Sequence, residues 1–124
     1  MNLLLDTHVF LWWREARDRI GSVAMDEIGR ADQVFVSVAS AWEIAIKIGL
    51  GRLRLPGPVD TAVEASGFEK LPISFRHAER VATLPHHHKD PFDRMLIAQA
   101  QVEGLAVVTH DERLGLYGVP IVRV

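Results

Sequence analysis

Three consecutive leucines, Leu3-Leu4-Leu5, cut short by Asp6-Thr7, leave few architectures open to this chain. A short continuous apolar run bounded by polar residues reads as a strand buried on both faces, and strands of that kind belong to parallel sheets. Val34-Phe35-Val36, closed by Ser37, repeats the pattern, as does Leu105-Ala106-Val107-Val108, ended by Thr109-His110-Asp111. Ile121-Val122-Arg123-Val124 reads as a last strand after Gly118-Val119-Pro120. Leu71-Pro72-Ile73 reads as an edge strand, because its proline cannot donate to a ladder.

Helical spacing fills the intervals. A short helix is expected over residues 9–13, and another from Ser22 to Arg30 after Gly21. Ser40, with Glu43 at capping-box distance, predicts a helix running through Ile44, Ile46 and Ile48 to Gly49 or Gly51. Leu55-Pro56-Gly57-Pro58 is a loop, followed by helices over 59–66, 75–84 and 91–103, the last stopped by Gly104. Strands alternating with helices on short connections mean βαβ units. The expected fold is α/β, a three-layer α/β/α sandwich on a central parallel sheet. It forms one domain over residues 1–124, with no repeat or linker to divide it.

The helix entrance at Asp90-Pro91 carries the first chemical signal. Asp suits the N-cap, and Pro at the first helical position gives up no needed N–H. Asp93 is then the third helical residue, and Leu96, Ile97 and Ala100 lie three, four and seven residues further along the same face. A carboxylate on a core-facing stripe is costly unless it is paired, hydrogen-bonded or bound to a cation. Taken alone, Asp90 and Asp93 could be only a local capping pair.

Three further acids change that. Functional groups of open parallel sheets gather beyond the carboxyl ends of the strands. Asp6 ends the first strand, Glu43 belongs to the helix after the second, and Asp111 follows the strand at 105–108. Asp93 opens the helix leading into that same strand, so it starts at the same sheet edge. Four carboxylates converging on one rim repel one another and raise each other's pKa unless a cation compensates. An all-oxygen donor set without cysteine suits a hard ion, Mg²⁺ or Mn²⁺, with open positions for a phosphodiester and room for a second ion.

Composition narrows the partners. With a net charge of −2 there is no global basic field to grip a polyanion, so local basic residues or metal ions must do it. The absence of cysteine excludes disulfides and thiolate zinc sites, and weakly favours the cytoplasm. No apolar run reaches the length of a membrane span, and Met1–Asp6 has no basic leader, so neither a transmembrane helix nor a signal peptide is expected.

Four blocks, Leu4-Leu5-Asp6-Thr7-His8, Ser40-Ala41-Trp42-Glu43-Ile44-Ala45-Ile46-Lys47, Asp90 to Ala100 and Val108-Thr109-His110-Asp111, together resemble a PIN domain. Among PIN domains they are similar to the VapC-type toxins of prokaryotic toxin–antitoxin modules, in order across essentially the whole chain. The resemblance implies a metal-dependent endoribonuclease that cuts cellular RNA and halts translation. It implies metal ligation and catalysis by Asp6, Glu43 and Asp93, with Asp111 a fourth acid acting directly or through water; Asp90 is left mainly as the N-cap. It also implies a homodimer blocked by a cognate antitoxin, with operator DNA bound only through that antitoxin.

Simpler roles compete for several of these residues. Glu43 could pair with Lys47 on an exposed helix face, and Asp111 could cap the turn at Glu112–Leu114. Thr7, Ser37 and Thr109 could hydrogen-bond the carboxylates or the water at an ion, or could satisfy only local backbone. His86-His87-His88 reads as a solvated loop, and Trp12, Trp13 and Trp42 as core or dimer contacts. Lys47, Arg52, Arg54, Lys89 and Arg94 are candidate contacts to RNA phosphates, Arg94 alternatively pairing with an acid of the cluster. Two rival functions are a phosphohydrolase or phosphoacceptor domain, disfavoured because Asp6-Thr7-His8 lacks a second Asp, and a non-catalytic scaffold that only binds an antitoxin.

Overall fold

A computed structural model describes residues 1–124. Five parallel strands form one sheet in the order β3-β2-β1-β4-β5. They are β1 (Asn2–Leu5), β2 (Gln33–Ser37), β3 (Glu69–Leu71), β4 (Ala106–Thr109) and β5 (Ile121–Arg123). Six α-helices join them: α1 (Thr7–Glu15), α2 (Ser22–Arg30), α3 (Val38–Gly49), α4 (Val59–Ala65), α5 (Phe75–Val81) and α6 (Pro91–Glu103), with 3-10 turns at Arg17–Arg19 and Glu112–Tyr117. The architecture is the expected α/β/α sandwich.

The leucine run explains the layering. Leu3 and Leu5 point into one core with Val34, Val36, Ala106 and Val108, covered by α1, α2 and α4. Leu4 faces the opposite core with Val107, Leu96, Ile97 and Ala100, on the side of α6. Each strand therefore alternates between two apolar layers, as a parallel sheet requires. Helix α3 bridges the layers, sending Ile44 to the first and Ala39 to the second.

Several boundaries differ from expectation: α1 is longer (Thr7–Glu15), α5 stops at Val81, and β4 runs Ala106–Thr109, and two further shifts bear on the site. Strand β2 extends to Ser37, whose hydroxyl oxygen accepts from the Ala39 N–H at 2.9 Å, so Ser37 rather than Ser40 caps α3. Ser40 lies inside the first turn, fully buried, and accepts the Thr7 hydroxyl at 2.9 Å. The third strand is Glu69–Leu71, not 71–73, because its ladder aligns Leu71 with Ser37, the last residue of β2, and Pro72 has no N–H to continue it. Asp90, Pro91 and Gly104 bound α6 as expected. Asp90 accepts from the Phe92 and Asp93 N–H groups at 2.8 and 3.1 Å, and Gly104 takes the left-handed φ of 69°.

Candidate active site

The register of β1 sets the position of Asp6. Leu5 pairs with Val36 on one side and Val108 on the other, so Asp6 sits level with Ser37 and Thr109 at the strand ends. Its Oδ1 accepts from the Val9 N–H at 2.8 Å, capping α1, and its Oδ2 accepts from the Thr109 hydroxyl at 2.5 Å. Burial pushes the Asp6 carboxyl above the usual range, and these two donors only partly offset it. Thr109 also accepts the Asp111 N–H at 3.0 Å, tying the first acid to the last.

Asp93 is brought into the same region from the opposite side of the sheet. Its carboxyl is pushed up to about 6, first by burial, then by the like charges of Asp90, Asp6 and Glu43, with His88 opposing them. Those same like charges place Asp6, Glu43 and Asp93 in one electrostatic environment. Glu43 is buried and keeps Lys47 at 3.0 Å from its Oε2, so the simpler pairing is present. Asp111 caps the turn at Glu112–Tyr117 and is gripped by the Arg113 guanidinium at 2.7 and 3.0 Å, which holds its carboxyl down at about 2.

Several residues take places other than those expected. His88 is not in a solvated loop: it is 6% exposed, and its Nε2 lies 2.8 Å from Asp93 Oδ2 and 3.3 Å from Asp111 Oδ2. Those three ligand-bearing groups lie within 4.8 Å of one another, a grouping that does not extend to Asp6 or Glu43. Arg94 is no phosphate contact and pairs with no acid. It is buried, and its guanidinium donates to the carbonyls of Val81, Leu84, Pro85 and His88 and to the Tyr117 hydroxyl. Its stem leaves α6 away from Asp93, towards the segment that follows α5.

Of the hydroxyls, Thr109 alone reaches a site carboxylate; Thr7 donates to Ser40 and Ser37 to Gln99. Arg52, Arg54 and Lys89 are exposed. Trp12 and Trp13 pack partly buried against the α1-side core, but Trp42 is 61% exposed beside Phe92. No local signal separates His88 from His86 and His87, which stay exposed; distant Tyr117 and Arg94 fix the backbone that buries it.

Comparison with known proteins agrees with this geometry. The PIN-domain family model matches residues 3–119. Ribonuclease VapC22 of Mycobacterium tuberculosis (strain ATCC 25618 / H37Rv) is 32% identical over 115 residues, covering 90% of this chain and 88% of the relative. Among solved structures, VapBC2 from Rickettsia felis, bound to a promoter DNA fragment, superposes with a TM-score of 0.75 at 11% identity, over 99% of this chain and 98% of the other. VapBC-5 from Mycobacterium tuberculosis gives 0.61 at 24% identity, over 99% and 98%. With its five-stranded parallel sheet, its rim of acids and a family match over nearly its full length, the chain belongs to the PIN-domain family, as a protein of the VapC type.

Proposed function

We propose that this protein is a metal-dependent endoribonuclease, the toxin of a toxin–antitoxin module, which inhibits translation by cutting RNA. The observation that carries this is the gathering of acids at one strand-end rim, where Thr109 ties Asp6 to Asp111 and Asp93 and Asp111 share His88, with burial and neighbouring charge pushing the Asp93 carboxyl up. Acids held together at such a cost fit a site made for a cation. Asp6, Glu43 and Asp93 are the ligands, with Asp111 reached directly or through water, and the oxygen donors suit Mg²⁺ or Mn²⁺. An ion bound there lowers the pKa of water and neutralises charge on the scissile phosphate.

The chain's own residues prepare that chemistry. The Thr109 hydroxyl and the Val9 N–H fix the Asp6 carboxylate before any ligand arrives. Lys47 holds Glu43 from the solvent side, and Arg52, Arg54 and Lys89 are the exposed cations available to RNA phosphates. Asp6→Asn should abolish Mn²⁺-stimulated cleavage of an RNA substrate by the purified protein while its circular dichroism stays that of the wild type. Equal cleavage by the variant would overturn the assignment.

Similar solved structures include a toxin–antitoxin complex and one bound to a promoter DNA fragment, which supports a cognate antitoxin as partner; we propose that it blocks the site and carries the operator DNA contact. No helix is long and apolar enough to cross a membrane; a cytoplasmic location is part of the toxin–antitoxin proposal. A homodimer is supported by a cavity of about 510 Å³ between α3, α5 and the start of α6, lined by Trp42, Ile73, Val81, Phe92 and Met95. Val38, Ile46 and Phe75 leave further apolar surface exposed on α3 and α5. Trp42→Glu should convert the dimer to a monomer in sedimentation velocity; a wild-type sedimentation coefficient would place the interface elsewhere.

A further inference from the structure

Among the residues near the acids, His88 has no role in the reading above. It is buried, and its surroundings leave it little freedom. Its N–H is bonded to the Tyr117 hydroxyl at 2.9 Å, and its carbonyl accepts from the Arg94 guanidinium at 3.5 Å. The ring nitrogen Nδ1 faces the Asp90 N–H at 3.3 Å and can only accept there. In the neutral ring the proton therefore sits on Nε2. That nitrogen is buried between two carboxylates, 2.8 Å from Asp93 and 3.3 Å from Asp111, yet neither oxygen lies in line with its N–H.

Two roles suit a histidine in such a place, and the polarity at Nδ1 separates them. A metal-ligating imidazole donates its second N–H to a carbonyl, carboxylate or water. Here the second nitrogen meets a backbone N–H, which is the wrong partner for a ligand and the right one for a donor at Nε2. We infer that His88 is a positioning residue: the Nε2–H edge of its ring lies between Asp93 on α6 and Asp111 after β4, and its positive polarity holds the two carboxylates together against their like charge. The inference rests on the metal reading of the site. In it, the ring supplies local positive polarity where like charges would otherwise swing apart, and Asp93 Oδ1 is the oxygen left free for an ion.

Three variants and one spectroscopic measurement test this. Mn²⁺ affinity is measured by calorimetry on His88→Ala, His88→Gln and His88→Asn, with thermal denaturation of each. A glutamine amide reaches the position of Nε2 and can donate, whereas an asparagine amide reaches only as far as Nδ1. His88→Ala and His88→Asn should weaken Mn²⁺ binding by about 10- to 100-fold, and His88→Gln should recover most of the loss. Recovery by Gln and not by Asn, at equal melting temperatures, is a result that mere packing would not give. Wild-type affinity in His88→Ala, with binding lost in Asp93→Asn, overturns this inference alone. So does a ¹⁴N coupling in the spin-echo spectrum of bound Mn²⁺ that vanishes in His88→Gln, since it would make the ring a ligand. No Mn²⁺ binding by the wild-type protein overturns the metal reading and the inference with it.

Discussion

Arg94→Met is expected to lower the stability of the metal-free protein by about 2–4 kcal/mol, because it leaves the carbonyls of buried Leu84 and His88 without a donor, at roughly 1–3 kcal/mol each. Arg94 is 9% exposed, and its guanidinium reaches Pro85 at 2.8 Å, Val81 and Leu84 at 3.2 Å, and the Tyr117 hydroxyl at 3.3 Å. These acceptors lie on the last residue of α5, on the segment between α5 and α6, and on the turn before β5. The charge has no carboxylate partner; its planar fork satisfies carbonyls spread over more than one direction. Methionine matches its length and refills part of the volume, so the loss measured is mainly that of the donors. Lysine should recover little, since a single ammonium cannot span that spread. Urea denaturation checks it: the midpoint should drop with an unchanged slope. A wild-type midpoint would mean that the 82–90 segment is held by its apolar contacts alone. Because His88 shares this network, a loosened segment should also weaken Mn²⁺ binding.

Asp93→Asn is expected to move stability and activity in opposite directions. In the metal-free protein burial and like charge push the Asp93 carboxyl up to about 6, from an ordinary value of 3.8. The folded state therefore holds a proton that the unfolded chain releases, and stability falls as pH rises between those values. The contribution is fully present below about pH 4 and lost above about pH 6.5. It amounts to roughly 1–3 kcal/mol at one pKa unit per 1.36 kcal/mol. Asparagine carries no charge at any of these pH values. The variant should melt higher than the wild type at pH 7.5 in the presence of chelator, and its stability should fall less steeply across the window, Asp6 keeping its own share. Its RNA cleavage should drop well beyond the roughly 100-fold typical of losing a partner of a metal ligand. Excess Mn²⁺ should raise the melting temperature of the wild type and leave the variant unmoved. A variant that melts lower than the wild type at pH 7.5 in chelator would mean that the Asp93 carboxylate is paired rather than repelled. At the acid end Asp111 acts the other way: the Arg113 guanidinium keeps its carboxyl at about 2, so that pair is lost only below the ordinary carboxylate range.

Much of this was legible in the residues. Leu3-Leu4-Leu5, the repeat of that pattern at β2 and β4, and the Asp90-Pro91 entrance closed by Gly104 each carry their structural meaning locally. Apolar periodicity and capping chemistry depend only on neighbours in sequence, so no knowledge of the packing is needed to read them. The placement of Asp6, Asp93 and Asp111 at one sheet edge followed from element polarity alone. What failed to show were boundaries and orientations. Ser37 and Ser40 are equally good capping residues, and the choice between them was made by how far β2 pairs with β3. Arg94, on the helix face between Asp90 and Ala98, could have met an acid, a phosphate or a carbonyl; the path of the 82–90 segment settled it.

The sequence by itself therefore determined the layers, the order of the elements and the rim on which the acids collect, because strand and helix periods and end signals are local properties of the chain. Only the tertiary structure decided that His88 is buried against Asp93 and Asp111 while its two neighbours stay in solvent, and that Arg94 turns inward to the loop. The reason is physical: three adjacent histidines have the same local chemistry, and what separates them is the distant Tyr117 hydroxyl and Arg94 guanidinium that fix the backbone at position 88.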